Sequence, residues 1–149
     1  MNEVPMIIYE GEIKSTFQDV DEAVKKIDGL MRQKFEFISS RLLFNIDFML
    51  REILNNAVEH GNHFDEHKKV KCRVSYDVPK LEFIVKDEGK GFSTTDFHTE
   101  SHDPRMLLRD RHRGHETILE MDFDVNIEGN QVTVSMNLNQ EEKSWKINY

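Results

Sequence analysis

Glu52-Ile-Leu-Asn-Asn-Ala-Val-Glu-His-Gly-Asn62 is the stretch on which the reading of this chain turns, together with a later one, Asp87-Glu-Gly-Lys-Gly-Phe92. The first continues an apolar helical pattern. Leu43, Ile46, Phe48, Leu50, Ile53, Leu54, Ala57 and Val58 wrap most of a helix that starts at Ser39 or Ser40, which implies deep burial. Within it Glu52, Asn56 and His60 recur every four residues and so predict one polar face. Gly61 is a good terminating residue. The second stretch is an acid followed by two glycines, placed where a strand from Leu81 to Lys86 ends.

Outward from these, the rest of the chain falls into place. Ile7, Tyr9, Ile13 and Phe17, around Gly11, predict one or two short strands. Thr16 or Asp19 caps a helix in which Val20, Ala23, Val24, Ile27, Leu30 and Met31 keep helical spacing to about Lys34. Lys68 to Asp77 alternates as a half-exposed strand does, and Val78-Pro79-Lys80 turns it into the strand from Leu81. Phe123 to Glu128 and Gln131 to Leu138 predict a second hairpin about Gly129-Asn130, a turn pair in the less usual order. Gly89 to about Arg113 lacks periodicity and is rich in His, Arg, Asp, Ser and Thr; so long a loop in a compact domain is usually functional. A short helix is expected at Glu116 to Met121, and a polar tail from Asn139 to Tyr149. Hairpins with helices grouped on one face predict an α+β fold: a two-layer α/β sandwich whose sheet is mixed but mainly antiparallel. At 149 residues one domain over the whole chain is expected, without repeats or linkers.

Composition narrows the function classes. A net charge of −8 argues against nucleic-acid binding, because a phosphate backbone rewards Lys and Arg. The single cysteine, Cys72, cannot form an internal disulfide and suits a reducing compartment, so a cytoplasmic protein is expected. No apolar run approaches the roughly 20 residues that cross a bilayer.

The polar stripe carries chemistry of a definite kind. Unpaired polar groups in a buried helix cost about 1–3 kcal/mol each, so they need partners. Mg²⁺ is one such partner, taking oxygen ligands such as the Asn56 carboxamide. Glu52, one turn earlier, can orient water or accept a hydroxyl proton. Without a ligand the same stripe reads as a polar network closed at Gly61. Asp87 can accept from an exocyclic amine, and Gly89 and Gly91 let backbone approach a flat ring; the plain alternative is a polar turn. Arg105, Arg109, Arg111 and Arg113, then Gly114, precede a helix start suited to phosphates, or form a solvated charged loop. His98, His102, His112 and His115 lack metal-ligand spacing for zinc.

Taken together, Glu-x-x-x-Asn-Ala-x-x-His-Gly at Glu52 to Gly61 and Asp-x-Gly-x-Gly-Phe at Asp87 to Phe92 resemble the GHKL (Bergerat-fold) ATPases. Within them the chain most resembles the stand-alone serine kinases that act as bacterial anti-sigma factors. The resemblance implies an ATP site with Mg²⁺. Asn56 binds the metal, Glu52 is the base, and Asp87 reads adenine. His60, Gly89, Gly91, Phe92, Arg113 and Gly114 hold the nucleotide, Arg109 and Arg111 reach the γ-phosphate, and Gly89 to Arg113 forms a lid. It also implies a sigma factor and an anti-sigma factor antagonist as partners, and a homodimer using the first strand and helix. The family's third motif, Gly-x-Gly followed by apolar residues, departs here: His112 replaces the first glycine, and His115 and Glu116 follow Gly114. A regulatory binding module with little or no kinase turnover is therefore the alternative.

Overall fold

A computed structural model describes residues 4–36, 38–90 and 123–138. In chain order these form β1 (Met6–Lys14), α1 (Phe17–Lys34), α2 (Ser40–Asn56), a π turn (Ala57–Gly61), β2 (Lys69–Asp77), β3 (Lys80–Lys86), β4 (Asp124–Glu128) and β5 (Gln131–Asn137). The strands make one five-stranded sheet in the order β1-β2-β3-β5-β4, with every neighbouring pair antiparallel. With its helices this is the expected α+β sandwich. The expected lid beyond Lys90, the expected short helix at Glu116 to Met121 and the expected tail from Asn139 lie outside the described residues.

Both helices start where side-chain oxygens replace missing carbonyl acceptors. Thr16 Oγ1 accepts from Asp19 N at 3.0 Å, and Ser39 Oγ accepts from Leu42 N at 3.1 Å; each cap is worth about 1 kcal/mol. On α1, Val20, Val24, Ile27 and Met31 are buried at helical spacing. On α2, Ile46, Met49, Leu50, Ile53 and Leu54 are buried. They join Val70, Val74, Leu81, Phe83, Val85 and Val134 of the sheet in one core. Burying one such aliphatic side chain contributes about 1.5–3 kcal/mol.

Three local details go beyond the sequence expectation, and the last departs from it. Of the one or two short strands expected, Met6 to Lys14 forms one: a bulge between Ile7 and Tyr9 absorbs the adjacent apolar pair and buries Ile8. Gly11 does not break it, because Gly11 pairs with Cys72 and the Tyr9 hydroxyl lies only 2.9 Å from where a Cβ would stand. The second hairpin turns with φ of +62° on Gly129, as the first position of a II′ turn requires, which explains the glycine-first order. Finally, α2 does not run as α-helix to Gly61, but widens into the π turn after Asn56.

The helix–helix seam carries charge. Arg51 Nη1 of α2 lies 2.5 Å from Asp21 Oδ1 of α1, and Lys25 Nζ lies 3.1 Å from Asp21 Oδ2. Hydrogen bonds from Arg51, then Lys25, hold the Asp21 carboxyl below its usual range. Further along, Asp28 of α1 and Asp47 of α2 each keep one oxygen buried without a hydrogen-bond partner among the described residues. Partial burial, then repulsion from Asp28, raises Asp47 to about 6.

Candidate nucleotide site

The site lies where the end of α2, the end of β3 and the β4–β5 turn meet. Glu52 and Asn56, one helical turn apart, are half-buried on the last turns of α2. Past Asn56 the chain continues as the π turn that carries His60. The His60 side chain is exposed, 3.9 Å from Glu59.

Gly61 ends this segment for a reason other than a left-handed cap. A Cβ there would overlap the Asp87 carboxylate, so only glycine lets the π turn pack against it. Gly89 is constrained in turn, since its Cβ would overlap the Gly61 carbonyl oxygen. The left-handed conformation falls instead on His63 (φ 51°) and Phe64 (φ 57°). They are held by bonds from Asn62 N to Ala57 O at 2.8 Å and from Phe64 N to Val58 O at 2.9 Å.

Asp87 is fixed on several sides. Its Oδ1 accepts from Gly89 N at 2.8 Å. Its backbone N–H donates to Asn130 O at 3.1 Å, and its carbonyl accepts from Asn130 Nδ2 at 2.7 Å. The tip of the second hairpin therefore clamps the residue that follows β3.

Two residues central to this arrangement were given no part in a site by the sequence reading. Asn130 is one, and Asn62 is the other. Asn62 is fully buried, with its amide donating to Ser15 Oγ at 3.0 Å and Lys69 O at 3.1 Å. Its Oδ1 accepts from Glu88 N at 2.7 Å, and Ser15 Oγ donates to Lys68 O at 2.6 Å. One carboxamide thus joins β1, β2 and the Asp87 loop. Its sequence signal was a polar residue directly after the helix-ending glycine.

The structure brings Gly61, Asp87 and Gly89 together at the end of the helix that carries Glu52 and Asn56. Gly91, Phe92, Arg109, Arg111, Arg113 and Gly114 lie outside the described residues. Among the described residues no cluster of three His, Cys, Asp or Glu is placed to hold a metal by itself. No described helix is long and apolar enough to cross a membrane. Cys72 is buried, and burial pushes its thiol up to about 12, so it is not a nucleophile at neutral pH.

Comparison with known proteins agrees with this geometry. The family model described as histidine kinase-like ATPase domain matches residues 13–137, from the end of β1 to the end of β5. No curated protein matches the chain. With most of its length covered, from the strand before α1 through the Asp87 loop to the final hairpin, the chain belongs to the histidine kinase-like ATPase domain family.

Proposed function

We propose that the protein binds Mg-ATP and transfers a phosphoryl group to a Ser or Thr hydroxyl of a small antagonist protein. It holds a sigma factor as its other partner, so that phosphorylation decides which partner is bound. The observation that carries this reading is the junction of Asp87 with Gly61 and Gly89: a clamped, half-buried carboxylate flanked by backbone that no Cβ shields.

The residues present fit a magnesium nucleotide. An ionised carboxylate such as that of Asp87 is an acceptor with several lone-pair sites, and it accepts from the exocyclic amine of adenine. Gly61 and Gly89 leave bare backbone beside it. Asn56 offers a carboxamide oxygen to the hard cation, and Glu52 takes the proton of the attacking hydroxyl. Bound Mg²⁺ supplies charge neutralisation at the phosphates, which with positioning accounts for most of such catalysis. The protein is proposed to be a cytoplasmic homodimer, consistent with its lone buried thiol.

Calorimetric titration with ATP, with and without Mg²⁺, tests the reading. Binding that needs Mg²⁺ and is lost in Asp87→Asn supports it. Glu52→Gln is expected to bind ATP and lose phosphotransfer to a candidate antagonist. No heat at millimolar ATP refutes it and leaves the binding-module alternative, which the altered residues His112, His115 and Glu116 favour.

A further inference from the structure

The face of the sheet turned away from the core has an uneven charge pattern. Register sets Glu10 of β1 opposite Arg73 of β2, and the two approach to 3.8 Å. On β3, Lys80 lies 3.5 Å from Glu82. At the other end of the same face the rule reverses. Lys14 stands opposite Lys69, and Lys71 opposite Lys86. Like charges directly opposite one another destabilise a sheet; on its other side Lys71 stands opposite Glu12, which offsets that rung only in part.

None of these four lysines has a carboxylate within ion-pair distance among the described residues. Glu88 comes near, but its Oε2 is used by the Lys69 backbone N–H at 2.5 Å. Lys14, Lys71 and Lys86 are exposed. The cluster stands out on a chain with 28 acids against 20 Lys and Arg, so it is a local feature and not a basic surface in general. Beside it the sheet is concave, with a cavity of about 450 Å³ whose walls include Glu12, Lys71, Arg73, Ile84 and Lys86.

We propose that this face docks an extended acidic segment of a partner protein. Its carboxylates neutralise the Lys14–Lys69 and Lys71–Lys86 rungs. An aliphatic side chain from the same segment rests on Ile84. An extended chain places alternate residues on one side, so acids and an aliphatic residue can face the sheet together. A nucleic acid fits worse: its phosphates are continuous and cannot avoid Glu10 and Glu12 at the cavity wall, whereas a peptide can set neutral residues there and its acids over the lysines. This inference does not depend on the nucleotide reading.

The test is fluorescence anisotropy with a labelled peptide rich in Asp and Glu, with aliphatic residues interleaved, at low salt and in the absence of ATP. The wild-type protein is expected to bind with an affinity that falls as salt rises. Lys71→Gln/Lys86→Gln is expected to weaken binding about tenfold, and Lys26→Gln, on the exposed side of α1, to leave it unchanged. Should the double variant fail to fold, each single variant is expected to weaken binding about threefold. Equal affinity in wild type and variants overturns the proposal. So does displacement by a single-stranded oligonucleotide at the same charge concentration. Sedimentation in which Lys71→Gln/Lys86→Gln dissociates an assembled form also overturns it, by giving the face to a second copy of the chain.

Discussion

Replacing Asp47 with Asn is expected to stabilise the protein at neutral pH and to do nothing of the kind in acid. Asp47 faces Asp28 across the α1–α2 seam, and each has an oxygen that is covered and without a hydrogen-bond partner among the described residues. Partial burial first, and then Asp28, raise Asp47 from 3.8 to about 6; Arg51 and Arg32 pull the other way without cancelling the effect. Asp21, earlier on α1, is engaged with both Arg51 and Lys25. A folded value above the unfolded one means that the folded state holds the proton more tightly. The ionised carboxylate therefore destabilises the fold, and stability is lost as pH rises from about 4 to about 6.

A change from 3.8 to about 6 corresponds to about 3 kcal/mol if fully expressed. Asp47 is only half-buried, and solvent screening reduces that to about 1 kcal/mol. The Asn amide also brings a donor to a seam where Asp28 Oδ1 has none among the described residues. Urea unfolding at pH 7.5 is expected to show a gain of about 1 kcal/mol for Asp47→Asn, or about 2–4 °C in Tm for a chain of this size. At pH 4 the gain is expected to vanish, because wild-type Asp47 is then protonated. A loss at pH 7.5, or an equal gain at both pH values, refutes the reasoning.

Gly61→Ala is expected to lower stability by about 1–3 kcal/mol, because the new methyl overlaps the Asp87 carboxylate; thermal melts measure this, and loss of ATP-induced stabilisation would follow. Asn62→Ala strips partners from Glu88 N and Lys69 O and is expected to cost about 2–3 kcal/mol in urea unfolding; a loss below about 0.5 kcal/mol would show water taking its place. Cys72 is expected to react with an aromatic disulfide reagent only after denaturation; rapid reaction in the native protein would contradict its burial and raised pKa.

Much of this fold was legible because its signals are local. The α1 stripe, the caps at Thr16 and Ser39, and the hairpin from Lys69 to Lys86 follow from periodicity and from side chains three residues from their targets. The place of Asp87 at a strand end was legible for the same reason. What escaped depends on groups far apart in sequence. Glu52, Asn56 and His60 have the same spacing whether the segment is α or π, and only packing chooses. Asn130 and Asn62 look like ordinary turn residues until β3 is seen to end between them. Gly61 was read as a terminator from its own conformational freedom, yet the structure needs it for the side chain of Asp87.

The same bonds explain why the chain tolerates two consecutive left-handed residues without glycine. Such residues cost of order 1–3 kcal/mol each and persist only where the surroundings over-determine them. Here the π turn must end abruptly, so that Asn62 can turn inward beneath Ser15 and Lys69 and reach Glu88. His63 and Phe64 supply the reversal. Phe64 N bonds back to Val58 O, and its ring meets Phe17 edge-on at 5.1 Å, at the first residue of α1. Relaxing the strain would withdraw Asn62, and with it the support of the loop that presents Asp87. The strained corner and the candidate nucleotide site are therefore one mechanical unit, and the cost is borne next to the residues whose positions it fixes.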